Sequence, residues 1–300
     1  MGFERELKRY LTYVKLEKGL TANTIDAYQI DLQRYLLFVG DTRGVGNLSG
    51  IAVHHIESYL EELAALGLGT SSVVRALSSI RGFHQFAMAD GLAEANPAAV
   101  IDIPKKLKSL PDVLDTDEIM RMIATHNAST PVGKRSIAIL ELLYATGMRV
   151  GELCSLTTDR LIFEIGYVRV IGKGDRERIV PVGEYAIRAV NDWLEQARPL
   201  FMKGPEKAKR AVFLNQRGTP LTRMSVWTIV NQSAKDAGIT KNVHPHIFRH
   251  SCATHLLEGG ADLGTVQEML GHASILTTEI YTHVDRSLLL QTHKMHHPRG

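Results

Sequence analysis

The segment Ile103-Pro104-Lys105-Lys106-Leu107-Lys108-Ser109-Leu110-Pro111 constrains the fold of this chain more than any other. Proline near each end cannot continue a helix or donate to a central strand, and three lysines between them hold the segment in water. A single core therefore does not run through it. With Asn96-Pro97 stopping the pattern before it, the expected division is a first domain over 1–103, a linker over 104–112 and a second domain over 113–300. The linker lysines suit contact with a polyanion, and they equally suit solubility alone.

The first domain reads as helices. Leu20, Thr21 and Asn23 open a pattern in which Ile25, Tyr28, Leu32, Tyr35 and Leu36 recur at helical spacing. A second pattern runs through Ile56, Leu60 and Leu63 and stops near Gly67 and Gly69. A third starts after Thr70, burying Val73, Leu77, Ile80 and Phe83, with Arg75, Ser78, Ser79 and Gly82 turned outward. That outward face is small and polar, suited to a phosphate backbone or simply to solvent.

The second domain restarts with Thr116, Asp117 and Glu118, an acidic first turn ahead of Ile119, Met122 and Ile123. A helix from about Lys134 ends at Gly147, and Arg149 opens another. Between about Leu161 and Val182 the period changes to two, with Val168, Val170, Ile171, Ile179, Val180 and Val182 around a Gly172-Lys173-Gly174-Asp175 turn, which predicts a hairpin. Helices are expected again over 186–194, 226–237, 245–257, 263–270, 276–284 and 288–296. The fold class is mainly α with a small antiparallel β-sheet.

Composition narrows the function little. The chain is 44% hydrophobic and 22% charged, with net charge +3, a balance that permits nucleic-acid binding without requiring it. No stretch reaches the roughly 18 apolar residues of a membrane span, and Glu4, Arg5, Glu6 and Lys8 interrupt any signal-like apolar run, so a cytoplasmic protein is expected. Cys154 and Cys252 sit in apolar helical patterns as reduced thiols. More telling, nine of the thirteen histidines follow residue 240. Such a cluster points to metal, phosphate chemistry or a pH switch.

His246 and Arg249 lie three apart behind Pro245, in the first turns of one helix, with Phe248, Cys252 and Leu256 on its core side. The spacing His246-x-x-x-His250 also fits two zinc ligands, but Ile247 stands where a metalloprotease has its glutamate, and no Cys-x-x-Cys accompanies it. Arg149 follows the helix-stopping Gly147 and begins the next helix, where the dipole disfavours a cation. An anion between the two, held by the guanidinium fork and backbone N–H groups, resolves the conflict; so does a plain surface arginine. Lys173 at a hairpin tip is either solvated or a mobile proton donor. His272 follows a Leu270-Gly271 helix stop, and Tyr281 lies between Ile280 and Val284 on an amphipathic stretch, which fits a phenol facing a cleft as well as a core tyrosine.

The motifs Ala-Thr-Gly-Met-Arg-Val-Gly-Glu-Leu at 145–153, Val-Ile-Gly-Lys-Gly at 170–174, His-Pro-His-Ile-Phe-Arg-His at 244–250 and Leu-Gly-His…Ile-Tyr-Thr-His-Val at 270–284 resemble the Xer branch of the tyrosine recombinases. Its tail, with His296-His297-Pro298-Arg299, resembles the D type of that branch more than the C type. The resemblance implies a two-domain DNA clamp, with a helical core-binding (SAM-like) domain and a mixed α/β catalytic domain. It makes Tyr281 the nucleophile that becomes joined to a DNA 3′ phosphate. Arg149 and Arg249 would clamp the phosphate, and Lys173 would protonate the leaving 5′ oxygen. His246 and His272 would complete the phosphate shell, and Glu152 would orient a histidine. A phenol of pKa near 10 is only about 0.1% ionised at pH 7, so this cationic setting matters to its activation.

The same resemblance implies no cofactor and no metal. Its implied partners are a double-stranded DNA recombination site, a XerC-like recombinase or further copies of this chain in a tetramer, and a septal DNA translocase of the FtsK type. The implied role is resolution of chromosome dimers at a dif-like site. Leu288, Leu289 and Leu290 offer an apolar stripe for docking on a neighbouring protomer, although a helix packed on its own domain has the same sequence signature. A phage or plasmid integrase, a type IB topoisomerase-like enzyme, a noncatalytic DNA-binding protein and a His-rich metal hydrolase remain as alternatives.

Overall fold

A computed structural model describes residues 3–18, 20, 22–102, 113–172, 177–203, 205, 208, 210–271 and 286–300. The chain divides into two compact units, Met1–Ser109 and Leu110–Gly300, each with its own hydrophobic core. Lys105, Lys106 and Lys108 of the expected linker lie outside the described residues.

In the first unit, α1 (Glu4–Leu16), α2 (Ala22–Leu37), α3 (Val53–Ala65) and α4 (Thr70–Ala89) surround Leu32, Tyr35, Ile56, Tyr59, Leu77, Ile80 and Phe83, all buried. Helix α1 is the element the periodicity reading missed, and it changes the fate of the face expected to be outward on α4. Gly82 lies against α1 so closely that a Cβ there would stand 2.6 Å from the Tyr10 hydroxyl. Ser79 is fully buried and returns its hydroxyl to Ala76 O at 2.8 Å. Arg75 is exposed but gripped by Asp31, with Nε and Nη2 donating at 2.8 and 3.1 Å. Of that face, Arg75 and Ser78 remain at the surface.

The second unit is mainly helical around one small sheet. Helix α5 (Thr116–Ala124) begins with a reciprocal cap: Asp115 Oδ1 accepts from Glu118 N at 2.7 Å and Glu118 Oε2 accepts from Asp115 N at 2.9 Å. Helix α6 (Pro131–Thr146) is buried along most of its length and ends at Gly147 in the left-handed region (φ 56°). After α7 (Val150–Cys154), strands β1 (Leu161–Ile162), β2 (Tyr167–Ile171) and β3 (Glu177–Pro181) form an antiparallel sheet in that order. The expected hairpin therefore has a third strand, too short to leave a periodic trace. Helices α8 (Glu184–Asp192), α9 (Arg223–Asp236), α10 (Pro245–Glu258), α11 (Leu263–Leu270) and α12 (Arg286–His296) complete the described α-helices. The helix expected over 276–284 falls outside them. No described helix is long and apolar enough to cross a membrane.

The stripe Leu288–Leu290 does not stand free for a neighbour. Leu289 is buried in the core of its own unit, Leu290 lies against Gly166, and only Leu288 is exposed. Two histidines then bolt α12 to the end of α6. His293 Nε2 donates to Ala145 O at 2.8 Å, and His297 Nε2 to Tyr144 O at 3.2 Å, while His297 Nδ1 accepts from Arg299 N at 3.1 Å. Because carbonyls only accept, both rings carry their proton on Nε2. Their planes stack at 4.6 Å, and Arg299 adds an ion pair with the buried Glu141 and a cation–π contact on Tyr185. Part of the histidine enrichment is thus core architecture, as is His255, bonded through Nδ1 to Tyr144 Oη at 2.8 Å.

Truncation before Leu288 is accordingly expected to destabilise the catalytic unit, with Glu141 losing a buried partner worth about 3–5 kcal/mol, so that DNA binding and cleavage fall together. Thermal denaturation alongside a binding assay checks this; a truncated chain with an unchanged melting temperature contradicts it. Burial lowers the His293 pKa to about 4 and places His297 well below the ordinary imidazole value. A depressed histidine stabilises the fold above its unfolded pKa. That contribution is complete above about pH 6.5 and erodes as pH falls from there toward about 4.

Candidate active site

Four elements converge where α6 ends. Gly147 takes a positive φ there, and a Cβ on it would stand 2.5 Å from Leu270 Cδ2 and 3.3 Å from Cys252 Sγ, so only glycine lets α10 and the end of α11 close on this turn. Arg249 of α10 fastens the closure. Its Nη1 donates to Gly147 O at 2.9 Å and its Nη2 to Leu270 O at 2.7 Å, two carbonyls left open by the ends of α6 and α11. Two of its five N–H groups are so occupied. Burial first, then repulsion from Arg149 and Arg178, pulls its pKa down to about 10, so it remains charged at neutral pH.

Arg149 is the N-cap of α7, and its charge does not stand unanswered at a helix start. Glu152, the third residue of that helix, accepts from Arg149 N at 2.8 Å and from Arg149 Nη1 at 3.1 Å. The same carboxylate takes both ends of Arg178 from β3, Nη1 at 2.9 Å and Nη2 at 2.8 Å, while Arg178 Nε donates to Met269 O at 3.0 Å. Among the described residues, Glu152 therefore orients two arginines. Burial alone would raise its pKa; the hydrogen bonds from Arg178 and Arg149 outweigh that and hold it below the usual carboxylate range. Gly271 caps α11 at φ 66° and lies against the Arg178 side chain, where a Cβ would meet Cδ at 2.9 Å.

His246, in the first turn of α10, is exposed beside this cluster. Partial burial, then His244, Arg249 and Arg149, lower its pKa, so the ring is neutral at pH 7 and has a lone pair to offer. Its ring lies 6.1 Å from that of His244. A cavity of about 490 Å³ opens alongside, walled by His244, His246, Val150, Arg223, Met224 and Trp227. Met224 and Trp227 are exposed, and sequence reasoning passed them over because helical spacing assigns such side chains to a core.

The described residues thus bring Arg149, Arg249 and His246 together and add Arg178 and Glu152. Lys173, His272 and Tyr281 lie outside the described residues. Among the described residues, no three His, Cys, Asp or Glu side chains are grouped to hold a metal ion. Cys154 and Cys252 are free thiols, Cys252 buried. Three guanidinium groups against one carboxylate leave two positive charges, with a neutral imidazole at their edge. Net positive charge fixed at a helix junction suits an anion whose charge grows during reaction.

Residues 112–287 match the model of the phage integrase family, and residues 7–91 match that of the phage integrase N-terminal SAM-like domain. The chain is 45% identical to a tyrosine recombinase XerD of Chlorobaculum tepidum, over 99% of this chain and 98% of that one. It is 42% identical to a tyrosine recombinase XerD of Staphylococcus aureus, over 99% and 100%. Among solved structures, XerH site-specific recombinase bound to difH substrate in a pre-cleavage complex matches with TM-score 0.67 and 25% identity, over 95% of this chain and 83% of that chain. A lambda integrase dimer bound to a COC′ core site shares the fold, with TM-score 0.69 at 20% identity over 95% and 100%. The chain belongs to the phage integrase family and is a site-specific tyrosine recombinase.

Proposed function

We propose that this recombinase cuts and rejoins DNA at a dif-like site through Tyr281, resolving chromosome dimers during segregation. The phenolic oxygen attacks the scissile phosphorus as the P–O5′ bond breaks, giving a 3′-phosphotyrosyl link and a free 5′ hydroxyl. Neutral His246 receives the phenol proton, and Lys173 supplies the proton taken by the departing 5′ oxygen. Arg149 and the remaining N–H groups of Arg249 bind the nonbridging oxygens, with His272 completing the shell. Attack by the 5′ hydroxyl of a second duplex reverses the step and restores the tyrosine.

The arginine cluster around Glu152 is the observation that carries this reading, because it supplies fixed cations to a phosphate without needing reorganisation. Near-full-length similarity to XerD proteins supports the chromosomal role over phage or plasmid integration. A solved neighbour is a lambda integrase tetramer on a Holliday junction, which supports a four-protomer assembly as fold-level analogy. Its members would be this chain with a XerC-like partner or with itself, under a septal translocase of the FtsK type. In this reading the chain is a cytoplasmic, DNA-handling enzyme divided near the lysine-rich segment into a core-binding and a catalytic domain.

The test is recovery of detergent-resistant protein–DNA adducts from source genomic fragments, with wild type beside Tyr281→Phe. Adducts in wild type alone identify both nucleophile and target sequence. Equal adducts in both remove Tyr281 from the mechanism. Relaxation of supercoiled DNA without strand exchange between two sites favours the type IB topoisomerase alternative.

A further inference from the structure

Three consecutive carbonyls close α11, and each accepts from a different arginine. Met269 O takes Arg178 Nε at 3.0 Å, Leu270 O takes Arg249 Nη2 at 2.7 Å, and Gly271 O takes Arg149 Nη2 at 3.4 Å. Carbonyls at this end of a helix lack intrahelical donors and form the negative pole of its dipole, so the end of α11 gathers three cations. Glu152 joins two of them from α7. Arg178 forks onto both of its oxygens, and Oε1 also accepts from Arg149 Nη1 at 3.1 Å.

The arginines differ in what they leave open. The Arg149 side chain is 43% exposed and that of Arg178 only 13%. All three nitrogens of the Arg178 guanidinium are already donating, two to Glu152 and one to Met269 O. An incoming phosphate therefore meets the Arg149 fork and not Arg178. The backbone behind Arg178 is also fixed, because its residue pairs with Val170 in the ladder between β2 and β3. Arg149, by contrast, is a long side chain on the N-cap of a five-residue helix, and its fork is aimed by Glu152 and one long contact to Gly271 O.

We propose that Arg178 is a positioning residue for strand cleavage: it holds Glu152 against Arg149 and ties both to the end of α11, so that the Arg149 fork faces the scissile phosphate in one orientation. The proposal rests on the reading in which Arg149 binds that phosphate. Without the bidentate grip of Arg178, the Glu152 carboxylate is free to turn with Arg149, and both lose their fixed reference. A misplacement of about 1 Å at a reacting centre costs about 10²-fold in rate. Lysine at this position keeps the charge that balances Glu152 but replaces a planar fork by a point charge, so it removes the aim and not the neutralisation.

The experiment is a double-mutant cycle on full-length protein, read as single-turnover cleavage of a nicked duplex carrying the sequence recovered in the wild-type adducts. Arg178→Lys alone is expected to slow cleavage by about 10²-fold. In Arg149→Ala there is no fork left to aim, so adding Arg178→Lys should cost less than about twofold more. A general loss of folded enzyme slows both backgrounds by the same factor, and that result overturns the proposal. Arg149→Ala cleaving at the wild-type rate removes the phosphate clamp and the proposal with it, whereas a slow Arg149→Ala with a multiplied Arg178→Lys loss removes the proposal alone. If Arg178→Lys does not fold, Arg178→Met with Glu152→Gln, which deletes both charges of the pair, is compared with Glu152→Gln. Equal rates support action through Glu152, and a further loss overturns it. A second measurement needs no DNA: the Arg149 Nε–Hε resonance of ¹⁵N-arginine-labelled protein should shift or broaden in Arg178→Lys, and an unchanged resonance contradicts the proposal.

Discussion

Arg249→Lys lowers the rate of strand cleavage by about 10²–10³, the usual effect of removing one well-placed donor from a site of developing charge. Lysine keeps the charge but not the fork, and here the fork has two duties. It closes Gly147 O and Leu270 O, and in the proposed mechanism its remaining N–H groups bind the phosphate. The structural duty makes a separate signature: two buried carbonyls lose their donor, at about 1–3 kcal/mol each if left unsatisfied. Single-turnover cleavage of a suicide substrate measures the first effect and thermal denaturation the second. A variant that melts lower but cleaves at the wild-type rate would confine Arg249 to architecture.

Glu152→Gln is expected to destabilise the catalytic unit by about 3–5 kcal/mol, because it leaves partly buried Arg178 without its bidentate charged partner. Cleavage falls with it as Arg149 loses the contact that fixes its fork. The pH profile isolates the carboxylate. Since the folded pKa of Glu152 is depressed, its stabilisation is complete above the unfolded carboxylate value and is lost as pH falls through the folded one. The wild-type acid limb below about pH 4.3 should therefore be shallower in Glu152→Gln. Identical acid limbs would mean that the carboxylate is not the charge holding the two arginines.

Much of this site is legible in the chain because its motifs follow local rules. Gly147 must stop α6, Pro245 must start α10, and Arg249 three residues after His246 must lie near it on the helix. Arg178 was missed although the signal exists: it shares strand parity with Val180 and Val182, both buried, so an inward-facing charge in need of a partner was implied. Glu152 was noticed as a positioning residue, but its hold on Arg178 was not foreseen, because spacing from Arg149 says nothing about a strand that arrives 26 residues later. The histidines divide for a similar reason. His246 stays at the site, whereas His255, His293 and His297 find tertiary partners over 100 residues away, at Tyr144 and Ala145. Helix α1, whose packing turned part of α4 inward, shows the same limit in the first unit.

The bolts between α12 and α6 also set an order of events on the ribosome. The first unit closes its core with residues up to Ala98 and can fold while the remainder is still being made. The second cannot finish until His293 and Arg299 have emerged to meet Ala145 and Glu141, the latter pair 158 residues apart. The turn carrying Arg149 begins one residue beyond α6, so the arginine cluster matures only after His293 and Arg299 have emerged. A nascent chain can thus hold a folded N-terminal unit well before it is able to cut DNA.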